Sequence, residues 1–352
     1  MKYIIYLITI ATVLFVGCNK HDQEPTDSTN GGYIFFSKGL TTKATLLGSD
    51  DMINQFGVVG YKYDNSIEWA DELNNDPQPT IFGNNIPQVV NMDEDGDPIY
   101  SPLQGWTNTK RYSFFAFYPL GYSNVTLVDL DGNEYTAQST GTPAIKYSMN
   151  VNSPTSSMVD VMIASAIDKH WNSLTDNNLS NGNVALTFDH CLSSLGLKVK
   201  NTSSGPIKLK SVVLKVAGIM YKDIIISLDG DEDKNTTVAS GIADNTVDLT
   251  LSTTAEAAIA SGHEKELNDK LLFIPQPNNV SVQVAVEYER EANNGYSGIS
   301  YSTLIPDTEA LTTGLTKGTK HLIHLNFAES TVTATIGTGA WNDSIIVDST
   351  FN

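Results

Sequence analysis

Cysteine and arginine are almost absent from this sequence. The only cysteines are Cys18 and Cys191, and with Cys191 alone beyond the opening segment no intramolecular disulfide framework can form. Stability must therefore come from packing. Arginine occurs only at Arg111 and Arg290, and 21 Lys and Arg face 40 Asp and Glu for a formal charge of −19. A surface so acidic repels phosphate backbones, which argues against a nucleic-acid partner, and keeps the folded chain soluble. Long apolar runs are scarce too. The one in residues 3–16 is shorter than the roughly 20 residues that a membrane-spanning helix needs.

That run has a specific context. Lys2 precedes it, Gly17-Cys18 closes it, and a polar stretch beginning Asn19-Lys20-His21-Asp22 follows, which is the layout of a secretory signal with a small residue before the cut. Leu14-Phe15-Val16-Gly17-Cys18 resembles the lipobox of bacterial lipoproteins, with Phe15 standing where Leu is usual. The resemblance implies that residues 1–17 are removed, that Cys18 carries lipid such as palmitate, and that the protein is anchored to the cell outer membrane. Residues 18–32 are rich in Pro, Asp, Ser, Thr, Asn and Gly without apolar period, as in a flexible tether.

Removing residues 1–17 from the 352 leaves 335, enough for two domains with adequate cores. Apolar and polar residues alternate in residues 112–118, 184–188, 195–200, 207–212 and 280–286, so each reads as a strand with one buried face. Asn-, Asp-, Gly- and Pro-rich turns separate them, for example at residues 74–77, 129–133 and 201–206. The best helical candidate is residues 254–260, which is short and soon followed by Ser261-Gly262. The expected class is all-β, with two antiparallel β-sandwich domains at residues 33–190 and 191–352.

Chemistry is harder to find. His263-Glu264-Lys265-Glu266-Leu267 begins like a zinc-protease helix, but Leu267 occupies the place of the second His. His321 and His324, three apart on a strand, point to opposite faces and cannot share a metal. Asp93, Asp95 and Asp97 resemble the alternate oxygen ligands of a calcium loop, yet Pro102 replaces the closing Glu and a solvated hairpin is the simpler reading. Cys191 beside His190 allows a nucleophile pair in principle, although an isolated Cys at a buried strand end is more often a small core residue. No phosphate loop or serine elbow occurs. The expectation is a protein that is not an enzyme and uses no cofactor.

Several strand segments, taken together and in order, resemble the fimbrillin family, the pilus subunits of Bacteroidales and their accessory proteins. They are residues 33–37 followed by Thr41-Thr42-Lys43-Ala44, then residues 112–119, 159–164, 184–192, 271–276, 315–318 and 332–336, with Trp341 near the end. The resemblance implies transthyretin-like sandwiches, export as a lipoprotein, adhesion to a host or bacterial surface, and assembly with other fimbrial subunits by strand exchange. In polymerising members an Arg in a Thr-Arg-Ala segment is cut to free the first strand, and Lys43 occupies that position here. Either a Lys-tolerant protease cuts after Lys43 or the subunit keeps its first strand as an accessory, cap or anchor.

The candidate donor strand is residues 344–351, with apolar Ile345, Ile346, Val347 and Phe351; a final strand packed on its own domain is the alternative. A different class of function, a surface glycan-binding lipoprotein of a polysaccharide-uptake system, would share the anchor and the acidity. It would use Trp69, Trp106, Trp171 or Trp341 as sugar platforms, where the simpler reading has them closing cores.

Overall fold

A computed structural model describes residues 32–36, 54–94, 97–150, 158–171, 183–217, 221–239, 247–251, 258–266, 271–276, 281–292, 295–296, 300–304 and 314–340. Its first ten strands are β1 (Phe35–Phe36), β2 (Gln55–Asp64), β3 (Gln88–Met92), β4 (Pro98–Ile99), β5 (Lys110–Tyr118), β6 (Val125–Val128), β7 (Ala144–Ser148), β8 (Met162–His170), β9 (Asn183–Val184) and β10 (Asp189–His190). Next come β11 (Ser193–Asn201), β12 (Ile207–Ala217), β13 (Tyr221–Ser227), β14 (Thr236–Ala239), β15 (Val247–Leu251) and β16 (Glu264–Glu266). The last are β17 (Leu271–Phe273), β18 (Ser281–Ala292), β19 (Gly295–Tyr296), β20 (Ser300–Leu304), β21 (Thr319–Phe327) and β22 (Val332–Ala340). Among the described residues, α-helix is confined to Trp69–Glu72. The chain is all-β.

The N-terminal half is built on a six-stranded sheet in the order β10-β8-β5-β2-β3-β4. Its central strands are buried on both faces, which corrects the expectation of one buried face for residues 112–118. Tyr112, Phe114 and Ala116 of β5 join one apolar cluster, and Phe115 and Phe117 join another. Strand β2 shows how tightly both faces close. A Cβ on Gly57 would come within 2.7 Å of the Phe117 ring, and one on Gly60 within 2.8 Å of Phe82, so glycine is needed where aromatic neighbours press in from each side.

One face of this sheet is covered by the short β1–β9 pair and by Trp106, Leu186 and Phe188. The other packs against a four-stranded sheet in the order β14-β13-β7-β6. That second sheet takes β6 and β7 from one half of the chain and β13 and β14 from the other, with Ile145 paired to Ile226. Pairing therefore crosses residues 190 and 191, where the two domains were expected to divide.

In the C-terminal half, a sheet ordered β16-β11-β21-β22 faces one ordered β15-β12-β18, with β20 continuing beside β18. Leu197, Val199, Ile323 and Leu325 meet Val212, Leu214, Val284 and Val286 in the shared core, and the Tyr288 and Phe327 rings stand edge to face at 4.9 Å. Among the described residues pairing is antiparallel except for β1–β9 and β11–β21. The helix expected at residues 254–260 is not formed at its described end. Ile259 is 5% exposed and exchanges both backbone hydrogen bonds with Ile207, so burial of its side chain outweighs local helix propensity. Residues 184–188 form ladder only at Val184, yet Val184, Leu186 and Phe188 all point into the core as the alternation implied.

Candidate functional site

The site of interest is the bed on which the first described segment lies. Tyr33-Ile34-Phe35-Phe36 alternates as a strand does, and Ile34 and Phe36 turn inward while Phe35 turns out. Ile34 is fully buried and Phe36 is 3% exposed. The Phe36 ring meets Tyr100 at 5.6 Å, Phe114 at 5.5 Å and Phe56 at 6.3 Å. Burying two such side chains contributes on the order of 1.5–3 kcal/mol each.

The backbone holding this segment is sparse and two-sided. On one side the Ile34 N–H donates to the Gln104 carbonyl at 2.8 Å, and the Trp106 N–H donates to Gly32 at 3.0 Å. On the other, β1 runs parallel to β9 for two residues, with Phe36 beside Val184. The Tyr100 hydroxyl donates to the Ile34 carbonyl at 2.8 Å, and burial raises the pKa of that phenol, so it stays a donor. The segment thus covers the aromatic bed with an apolar underside.

Of the residues singled out in the sequence, Cys18, Lys43, Ile345, Ile346, Val347, Phe351 and Trp341 lie outside the described residues. So does Asp95, while Asp93 and Asp97 close a hairpin turn in which the Asp97 N–H donates to the Asp93 carboxylate at 2.7 Å. Among the described residues no cluster of three metal-ligating side chains occurs. The His263–Glu266 stretch leads into strand β16 instead of a helix. His321 is buried and His324 exposed, on opposite faces of β21 as their spacing required.

Cys191 is 1% exposed, and burial pushes its thiol up to about 12, so it is a core residue and a poor nucleophile. Trp69 and Trp106 are buried, which removes two of the four sugar platforms, and Trp171 packs against Trp106 at 6.4 Å. Among the described residues no helix is long and apolar enough to cross a membrane.

One group escaped the sequence reading. Asp160 and His190 form a buried pair beside the start of β8, and their only local signal was a carboxylate standing between Val159 and Val161.

The family described as fimbrillin-like matches residues 51–341. No curated protein sequence matches the chain. Among solved structures, a fimbrial protein from Bacteroides vulgatus aligns at 18% identity with a TM-score of 0.59, over 88% of this chain and 99% of the other. A protein from Bacteroides ovatus described as a candidate in cell adhesion aligns at 15% identity and TM-score 0.49, over 90% of this chain and 99% of its own. At those identities the structures speak to the fold, and the first shares it. The match across residues 51–341 carries the assignment: this chain belongs to the fimbrillin-like family.

Proposed function

We propose that the protein is a structural, non-enzymatic subunit of a surface fimbria, joined to other subunits by strand exchange at the bed of the first segment and serving adhesion. The observation that carries the proposal is the segment itself: Ile34 and Phe36 seal an aromatic core, while among the described residues their strand pairs with β9 at Phe35 and Phe36. Removing it would leave the Phe56, Tyr100 and Phe114 rings and an unpaired backbone edge open to water, a state that favours capture of another extended segment. Ile345 and Val347 have the two-residue spacing of Ile34 and Phe36, with Ile346 in the outward place of Phe35. Residues 344–351 can therefore supply the replacement. Lys43 lies seven positions past Phe36 in the sequence, where a cut would release the segment.

Limited trypsin treatment that nicks at Lys43 should turn monomer into ladders on a non-boiled gel, and deleting residues 344–352 should abolish them. Monomer that persists after a verified cut would leave the uncut accessory, cap or anchor role. Anchoring at the outer membrane through lipid on Cys18 belongs to the same proposal. Mass spectrometry of protein from washed cells should find a chain beginning at acylated Cys18 or, after processing, at Ala44; an unmodified Cys18 in uncut protein would refute the lipid anchor.

A further inference from the structure

The bed of the first segment selects among extended chains, and the segment seated there shows what it selects for. Its main-chain contacts are indifferent to sequence. The Ile34 N–H donates to the Gln104 carbonyl, the Trp106 N–H donates to the Gly32 carbonyl, Tyr33 bridges to Gly105, and Phe35 and Phe36 run beside Asn183 and Val184. Bonds of this kind hold any extended chain, whereas the pockets under alternate side chains discriminate. The bonds also fix direction and register, and so decide which two side chains turn inward.

The two inward places differ. The first holds Ile34, aliphatic and fully buried. The second is an aromatic box: Phe114 and Phe56 meet the Phe36 ring edge to face, at interplanar angles of 89° and 76°, and Tyr100 is tilted against it at 51°. Edge-to-face contact favours a ring beyond the area that the ring buries. A phenol gains no partner from these rings, because the Tyr100 hydroxyl already donates to the Ile34 carbonyl and accepts from the Gln104 N–H. The second place therefore favours Phe over both Val and Tyr. Between the two, Phe35 turns outward and is 37% exposed, so its place imposes no such demand.

We infer, on the strand-exchange reading above, that the bed is specific for a donor strand of the pattern aliphatic-x-phenylalanine, and that the donor fitting it best belongs to a different kind of subunit, not to a copy of this chain. Taken in the direction of the first segment, no register of residues 344–351 supplies the pattern. Ile345 with Val347 fills the first place but sets a Val where the Phe36 ring lies, leaving the box partly empty. Phe351 brings a ring only with Ser349 in the place of Ile34, and Ile346 with Asp348 would bury a carboxylate. The chain's own tail can occupy the bed in the first of these registers, but it ranks below a strand that fills both places.

The test mixes protein nicked at Lys43 with fluorescent peptides and follows their anisotropy. The peptide of residues 32–38 should bind, and its Phe35→Ser form should bind equally well. Its Phe36→Val form and the peptide of residues 343–350 should each bind about tenfold or more weakly. In the whole chain Val347→Phe should strengthen self-assembly, so that after the cut at Lys43 its ladders withstand about tenfold more of the competing 32–38 peptide than those of the parent. A Phe36→Val peptide that binds as tightly as its parent, or Val347→Phe ladders no more persistent than the parent's, would overturn the specificity while leaving strand exchange in place. Failure of every peptide to bind, with no ladders after a verified cut, would remove strand exchange at this bed and the specificity with it.

Discussion

Asp160 Oδ1 stands 2.8 Å from His190 Nδ1, with both side chains 2% exposed, and this contact fastens the approach to β8 onto the edge strand β10. The Cys191 N–H donates to the Val161 carbonyl at 2.8 Å beside it, so side chain and backbone close the same corner. Removing one member of a buried polar pair takes a hydrogen bond from the other where water cannot replace it, and that costs more than the intact bond contributes. Asp160→Ala should lower stability by about 1–3 kcal/mol, and Asp160→Asn, which can still accept a hydrogen bond, by less. Urea midpoints measure both. Equal midpoints for Asp160→Ala and the parent would mean that the pair is idle.

The first segment predicts a graded response to truncation. Ile34→Ala and Phe36→Ala each open a cavity over the aromatic bed and should cost about 2–5 kcal/mol. Phe35→Ala, at a side chain 37% exposed, should change stability by about 0.5 kcal/mol or less. Amide exchange at residues 33–36 should accelerate in the first two variants alone; matching rates in all three would show that inward burial does not hold the segment.

His321 ties stability to pH. It is 1% exposed on β21, its ring nitrogens have no hydrogen-bond partner among the described residues, and burial lowers its pKa below the ordinary histidine value. The folded state thus binds this proton less readily than the unfolded chain does. The contribution is fully present above about pH 6.5 and is lost as pH falls below it. Thermal melts should drop between pH 7.5 and 5, and His321→Leu should flatten much of that slope. An unchanged slope in the variant would assign the pH response to other groups.

Much of this architecture could be read from alternation, but alternation reports neighbours along the chain and not partners across it. Residues 112–118 announced a strand. Their second buried face was hidden because Ser113 looks like a solvent position, whereas it is fully buried with its hydroxyl 2.6 Å from that of Tyr63. Residues 33–37 were legible as a strand, but their inward face at Ile34 and Phe36 and their parallel partner, some 150 residues away, lie beyond any local signal. The Asp160–His190 pair, 30 residues apart, is of the same kind. At Ile259 helix propensity misled, since one buried side chain and two backbone bonds to Ile207 decide the local structure.

The sheet shared between the halves also sets an order of events as the chain is synthesised. The aromatic face carrying Tyr61, Phe115 and Phe117 can begin to be covered by β6 and β7, but its cover is completed by Ile224 and Ile226 of β13. Until Ser227 has appeared, the N-terminal half cannot finish its own second layer. It must wait half-dressed through the synthesis of nearly eighty residues beyond Ser148, the span in which it is most exposed to wrong partners.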